Sequence, residues 1–154
     1  MAKLTRRQFI EAAVSCSALL AWPSAYARDS KTRWQERRDL YPQGVASGDP
    51  HADSVLLWTR RPPTRGSAAR RLIVELADDP TFHRVVTTAK ANLSAANDWT
   101  CRILAAGLKP AHVYWYRFTD EHGFGSGIGR TITAPSDQDS RPVRFAFVSC
   151  QNMQ

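Results

Sequence analysis

A cysteine near the end of the sequence is the residue with the clearest chemical potential. Cys150 ends the run Val143–Cys150, which is apolar except for Arg144 and Ser149. Such a run is typical of a strand that is covered on both faces, as in a parallel sheet flanked by helices. Because ligands bind at the carboxyl ends of strands in these sheets, we expect Cys150 to lie where chemistry is done. The residue types alone leave three roles open for it: an inert buried thiol, a thiolate ligand of a metal ion, or a nucleophile.

The other residues that could do chemistry are poorly spaced for it. The four histidines lack the i, i+4 pairing of metal ligands and are expected on the surface or in turns. They are His51, His83, His112 and His122. The glycine-rich segment Gly123–Gly129 lacks the lysine and hydroxyl residue of a phosphate-binding loop, so a hairpin connection is predicted there. Ser47 and Ser149 lack the Gly-x-Ser-x-Gly context of a nucleophilic serine.

The composition indicates a globular protein without a basic arm for nucleic acid. Hydrophobic residues make up 43% and charged residues 23% of the 154 residues, and the formal net charge is +7. The basic residues are scattered in short pairs, so most are expected to be solvated surface charges. A second interpretation is a weak positive field that attracts anionic substrates such as phosphate esters.

The first 27 residues have the order of features of an export signal. A basic start is followed by the apolar stretch Ala12–Trp22, and then by the small residues Ala25 and Ala27. We therefore predict a helical signal peptide over residues 1–27 that is cleaved after Ala27. The apolar stretch is shorter than the roughly 20 residues that a membrane-spanning helix needs.

A pair of arginines indicates the export route. Arg6 and Arg7, followed by Phe9, resemble a twin-arginine signal. This resemblance implies the twin-arginine export machinery as a partner and a periplasmic or secreted location. The alternative interpretation is an amphipathic N-terminal helix that remains in the mature protein.

Residues 41–134 have the pattern of a β-sandwich. Short strand-like runs recur with turn residues between them, and helical periodicity is absent beyond the predicted signal. The seven predicted strands are Gln43–Ser47, Ser54–Thr59, Leu72–Ala77, Val85–Ala91, Asp98–Ala105, Val113–Phe118 and Gly129–Ala134. The predicted fold class is therefore all-β, an immunoglobulin-like or fibronectin type III-like sandwich.

Three residues refine this prediction. The spacing Leu108-x-Pro-x-x-x-Tyr114 resembles the tyrosine corner of fibronectin type III domains, in which the tyrosine hydroxyl bonds back to the preceding backbone. Trp58 is expected to be buried between the two sheets. Cys101 is expected to be a small core residue, although a disulfide between Cys101 and Cys150 remains possible in an oxidising compartment.

The segments that flank the sandwich indicate a larger protein. Residues 28–40 are polar and are interpreted as a tether or an irregular lead-in. Residues 135–142 form a polar linker bounded by prolines, as expected at a domain boundary. Residues 143–154 are then predicted to be the first strand and ligand loop of an α/β domain, because nothing upstream provides neighbours for a parallel strand.

Five segments, in this order, resemble PhoD-like alkaline phosphatases. They are Pro42–Pro50, Asp53–Arg60, Gly107–Phe118, Gly129–Pro135 and Arg144–Gln151. The twin-arginine signal also fits that family. The resemblance implies an exported phosphoric ester hydrolase with a fibronectin-like N-terminal domain and a catalytic domain of the metallophosphoesterase layout.

The resemblance also implies cofactors. The cysteine of the family's Ser-Cys-Gln motif, which is Cys150 here, binds an active-site iron with calcium ions alongside. A thiolate suits iron, whereas calcium prefers oxygen ligands. The family's other ligands have no positions in this sequence, so we expect the 154-residue chain to be an inactive fragment that binds no metal by itself.

A different class of function also fits the sandwich. The unit at residues 41–134 would serve equally well as a free-standing secreted adhesion or binding module. The run Val143–Cys150 argues against that alternative, because a self-contained module has no use for an apolar strand after its linker and would risk aggregation through it.

Overall fold

The structure is a computed structural model that describes residues 18–21, 23–66, 68–142 and 146. Its strands form two sheets that share one core. In chain order they are β1 Ala18–Ala21, β2 Pro23–Arg28, β3 Gln35–Glu36, β4 Val45–Gly48, β5 Ser54–Arg60, β6 Arg71–Ala77, β7 Val85–Asn92, β8 Thr100–Ala106, β9 Val113–Asp120, β10 Phe124–Gly125 and β11 Gly129–Ile132. Across these ranges, no helix is long and apolar enough to cross a membrane.

The two sheets have different widths. The smaller sheet has the strand order β1-β8-β5-β4, and the larger has β2-β7-β6-β9-β10-β3, with β11 also paired to β9. The all-β sandwich and its seven predicted strands are confirmed, with ends that differ by a few residues. The two-residue strands β3 and β10 were not predicted, because so short a segment shows no alternation.

The core comes from alternate residues of the central strands. In β6 and β9 every second side chain points into the sandwich, as the two-residue period of a strand requires. Large buried side chains of this core include Tyr41, Leu57, Leu72, Leu76, Ile103, Tyr114, Tyr116 and Phe118. Each stabilises the fold by about 1.5–3 kcal/mol relative to an exposed side chain. Cys101 lies among them, so its predicted core position is confirmed.

The prediction for Trp58 was wrong. In β5 the side chains of Val55 and Leu57 are buried, whereas Trp58 lies on the other face of the strand and is only half-buried. Every residue from Val55 to Trp58 is apolar, so the sequence pattern did not reveal which face points inward. The aromatic packing inside the sandwich comes instead from Tyr116 and Phe118, whose rings meet edge to face at 6.2 Å.

The prediction that the signal peptide is helical was also wrong for the residues of it that the structure describes. Ala18–Ala21 pairs in parallel with β8, and Pro23–Arg28 pairs with β7. Each segment lies on an outer strand of a sheet, where unpaired backbone groups are open to a further strand. Cleavage after Ala27 is a separate prediction, which this pairing does not address.

The predicted tyrosine corner is confirmed. The backbone N–H of Lys109 donates to the Tyr114 hydroxyl oxygen at 2.9 Å. Leu108 is buried just before it, and Ala111 adopts a positive φ of 49° in the turn that starts β9. The hydroxyl therefore fixes how the chain crosses from the smaller sheet to the larger one.

We predict that Tyr114→Phe lowers the free energy of unfolding by about 1–2 kcal/mol, because the Lys109 N–H loses its acceptor while the ring is retained. Urea unfolding monitored by tryptophan fluorescence measures the change. A loss smaller than about 0.3 kcal/mol would mean that the bond makes no net contribution.

Candidate functional site

The residues predicted to bind metal or to direct export lie mostly outside the described part of the chain. Cys150 and the arginines Arg6 and Arg7 are not among the residues that the structure describes. Ala27, the predicted cleavage site, is exposed near the end of β2. Within the described ranges, no group of three or more His, Cys, Asp or Glu side chains could hold a metal ion.

The histidines occupy surface and turn positions. Three of them each lie beside a single aspartate, in the pairs His51–Asp49, His83–Asp29 and His112–Asp78. His122 is exposed, and its ring lies 6.4 Å from that of Phe124. One carboxylate beside one imidazole gives a metal ion only half of the usual four ligands, so these pairs act as local ion pairs or hydrogen bonds.

The chain leaves the sandwich at a tightly bonded end. The hydroxyl of Thr133 donates to the Lys109 carbonyl at 2.6 Å and accepts from the His112 N–H at 3.0 Å. The next residue, Ala134, donates its N–H to the carbonyl of His51 at 3.0 Å. The last strand, the tyrosine corner and the loop after β4 are thereby tied together where the segment toward Cys150 begins.

Two shallow hollows lie along the edge strands β4 and β11. One has a volume of about 240 Å³ and is lined by Ser47, Gly48, Pro50, Val55 and Arg130 to Ile132. The second, of about 360 Å³, is lined by Arg38, Tyr41, Pro42, Gly44, Val45, Gly127 and Ile128. We call the surface formed by residues 45–50 and 128–132 the β4–β11 seam.

A buried ion pair anchors the polar segment 28–34 to the outer face of the larger sheet. The Arg117 guanidinium donates to the Glu75 carboxylate at 2.8 and 3.0 Å, and the two side chains are 9% and 4% exposed. The other Glu75 oxygen accepts from the hydroxyls of Ser30 at 2.7 Å and Thr32 at 2.9 Å. Of the two alternatives left open for residues 28–40, the structure therefore shows a packed irregular lead-in.

Aromatic rings shield this ion pair. The Arg117 guanidinium carbon lies 4.0 Å from the centre of the Phe82 ring and 5.1 Å from that of Trp34. A side chain at Gly125 would lie only 2.0 Å from the Trp34 indole, so this position requires glycine. The glycine-rich segment thus allows the lead-in to lie flat on the sheet, and it forms the predicted hairpin connection between β9 and β11.

A second buried pair joins the ends of β5 and β9. Arg61 and Asp120 are both fully buried, and the guanidinium donates to the carboxylate at 3.1 Å. The other Asp120 oxygen accepts the backbone N–H groups of His122 at 2.9 Å and Phe124 at 3.0 Å. Burial, together with the nearby Asp120 charge, raises the pKa of the Tyr41 hydroxyl above its usual value. These groups fix loops and are too enclosed to meet a substrate.

The Cys101 thiol is a poor candidate for chemistry. Its side chain is 3% exposed in the sandwich core, and burial raises the pKa of the thiol to about 12. Because the thiolate is the reactive form, Cys101 is chemically inert near neutral pH. Cys150 therefore remains the only cysteine proposed for a metal site, since Cys16 falls within the predicted signal.

Comparisons with known proteins agree on one family. The family described as PhoD-like phosphatase, N-terminal domain, matches residues 25–135. Alkaline phosphatase D of Bacillus subtilis is 36% identical over 118 residues, which is 72% of this chain and 20% of that protein. The chain thus spans about a fifth of the length of the curated relative that it matches.

Solved structures give the same answer for the fold. A structure of PhoD is similar with a TM-score of 0.62 and 32% identity, over 75% of this chain and 22% of that one. The sensor domain of the anti-sigma factor RsgI4 from Pseudobacteroides cellulosolvens is 12% identical with a TM-score of 0.50, over 60% of this chain and 93% of that domain. The second likeness concerns the fold alone.

We predict that Glu75→Gln lowers the free energy of unfolding by about 3 kcal/mol, because it leaves the buried Arg117 charge without its counter-ion. The matched control is Glu36→Gln, since Glu36 pairs with Arg38 at the surface and such pairs contribute only about 0–1 kcal/mol. Urea unfolding of both variants provides the comparison. Equal losses in the two variants would show that the buried pair does not anchor the lead-in.

Cys101 should react with a thiol reagent such as Ellman's reagent only after unfolding, because its thiol is enclosed and its pKa is raised. The measurement compares the number of reacted thiols per chain, in native buffer and in denaturant, in a variant that carries both Cys16→Ser and Cys150→Ser, so that Cys101 is the single cysteine. Rapid modification of the native protein would contradict the core position.

Proposed function

Since this chain belongs to the PhoD-like phosphatase family, we propose that it is the N-terminal part of an exported, metal-dependent alkaline phosphatase or phosphodiesterase that hydrolyses phosphate esters. The observation that carries this proposal is the family match over residues 25–135, which includes the lead-in and the whole sandwich. In this proposal the segment Ser149-Cys150-Gln151, which follows a short linker, supplies a metal-binding cysteine.

The proposed iron site fits the chemistry of Cys150 but needs further residues. A thiolate is a soft ligand that suits iron, and the described ranges supply no cluster of donors that could complete a site. The remaining iron and calcium ligands would therefore come from outside residues 18–142. When bound, such metal ions supply an activated water and stabilise the charge on the phosphoryl oxygens.

In this proposal the sandwich holds the start of the downstream region in place, and the downstream region carries out the hydrolysis. The bonds from Thr133 to Lys109 and His112 fix where the chain leaves the sandwich, and therefore where the segment toward Cys150 starts. The net charge of +7 favours the approach of anionic esters as a general field, since the basic residues are scattered.

Export completes the proposal. Residues 1–27 would direct the protein through the twin-arginine route and be removed after Ala27, which leaves the mature protein in the periplasm or outside the cell. The family match begins at residue 25, beside the proposed cleavage site, which supports a mature domain that starts there. A route for folded proteins would also allow iron to be loaded before export.

The purified 154-residue chain should not hydrolyse phosphate esters, because a single cysteine ligand cannot hold a catalytic cluster. The assay uses p-nitrophenyl phosphate as a monoester and bis-p-nitrophenyl phosphate as a diester, with iron and calcium added. Turnover above the buffer rate that disappears with a chelator would contradict the assignment of catalysis to residues beyond this chain.

The reading frame beyond codon 154 tests the proposal independently. We expect it to continue, in frame or after one frameshift, into a region that contains further acidic and histidine ligands, and its product to hydrolyse the same two esters. A downstream region with no such ligands would favour the alternative of a free-standing secreted binding module.

A further inference from the structure

The β4–β11 seam is one open edge of the sandwich, at the ends of the two sheets that lie away from β1 and β2. Strands β4 and β11 are each paired on one side only within the described part of the chain. Their outer N–H and C=O groups therefore face solvent along two neighbouring edges, an arrangement that proteins normally cover or protect.

The seam also carries large apolar side chains that are exposed to solvent. Ile132 is 52% exposed and Ile128 is 42% exposed, and no other large hydrophobic side chain is exposed among residues 27–66 and 68–142, where the structure describes burial. Ile128 directly precedes β11 and Ile132 ends it, and each of them lines one of the two hollows. Covering both side chains would contribute about 25 cal/mol for each Å² of apolar surface removed from water.

The exposed side chains of the seam indicate what kind of surface would be complementary to it. Arg130 is exposed between the two isoleucines, and it has no ion-pair partner among the residues that the structure describes. Arg38 lies at the other hollow, but its exposed side chain already pairs with Glu36, so Arg130 is the charge that a partner would meet. A complementary surface therefore has an apolar centre with a carboxylate at its rim, as in many interfaces between domains.

The position of the linker indicates where this partner is attached. Ala134, two residues after Ile132 in the sequence, donates its N–H to the carbonyl of His51 at the end of the seam. The linker at residues 135–142 spans at most roughly 28 Å when fully extended, so whatever follows it stays within reach of the seam. A short tether also gives the attached domain an effective concentration on the order of millimolar, which favours docking within the chain.

We propose that the β4–β11 seam is the docking surface for the domain that follows residue 142 in the same polypeptide. This inference rests on the proposed function, which places a catalytic domain there. Docking buries Ile128 and Ile132, pairs Arg130 with a carboxylate and covers the two open strand edges. The sandwich then acts as a fixed wall beside the catalytic domain, held by one face and one short linker.

Hydrogen–deuterium exchange tests the docking directly. The full-length product of the natural reading frame is compared with the 154-residue chain. We expect the outward amides of β4 and β11 to exchange about tenfold more slowly, or slower still, in the full-length protein, because their edges are covered there. Amides of the central strands β6 and β9 should be equally protected in both. Equal exchange of β4 and β11 in the two proteins would overturn the proposal.

Substitutions identify the responsible side chains. Ile132→Lys in the full-length protein should restore fast exchange of β4 and β11, whereas in the 154-residue chain it should leave the melting temperature unchanged, because the side chain is already exposed. The matched control is Thr88→Lys, at an exposed position of β7 away from the seam. If Thr88→Lys has the same effect as Ile132→Lys, the seam is not the docking surface.

Two further readouts separate this inference from the proposed function and from self-association. If the full-length protein protects the seam but has no esterase activity, docking is supported and the phosphatase proposal is refuted. If it has esterase activity but does not protect the seam, the phosphatase proposal is supported and docking is refuted. The mass of the 154-residue chain in solution is also measured by light scattering. A dimer that Ile132→Lys dissociates would overturn the proposal by assigning the seam to a second copy, and a monomer supports docking within the chain.

Discussion

The buried pair between Arg117 and Glu75 is the interaction on which the arrangement of this domain depends. A charged guanidinium beneath a protein surface is tolerated only when it is paired and bonded, and here every partner comes from a different segment. Glu75 lies on the neighbouring strand, Ser30 belongs to the lead-in, and Phe82 lies in the turn before β7. The pair therefore joins the N-terminal segment to the centre of the larger sheet.

This anchoring organises the rest of the outer face. Once Ser30 and Thr32 are bonded to Glu75, the lead-in lies across the sheet and brings Trp34 over Gly125. The short strand β3 then pairs with β10, and the chain enters the core at Leu40. A polar segment that resembles a linker in sequence thus becomes the cover of one face, while the β4–β11 seam stays open.

The sequence predicts the features of this fold that depend on local pattern. The strands follow from two-residue alternation and turn residues, and the tyrosine corner follows from a fixed spacing between Leu108 and Tyr114. The pattern fails at Trp58, because an apolar run on both faces does not specify which face is buried. The pattern also fails at Ala18–Ala21. This apolar segment pairs with β8, and the sequence alone does not show that β8 offers a free edge for it.

Features that depend on strand register lie beyond such an analysis. A single glutamate in the apolar strand β6 and a single arginine in β9 are visible in the sequence, but only the register places Glu75 opposite Arg117. The seam likewise requires the edges of two sheets to meet, which no local pattern specifies. The chemical role of Cys150 was inferred from the family resemblance. The described residues include the linker that leads toward Cys150, and they do not include Cys150 itself.

The most direct test of the central claim, that the chemistry begins after the sandwich at Cys150, is the iron content of the full-length protein in two cysteine variants. We expect Cys150→Ser to lose most of its iron, together with esterase activity, and Cys101→Ser to retain both, because Cys101 is enclosed in the sandwich core. Normal iron content and activity in the Cys150→Ser protein would contradict the claim.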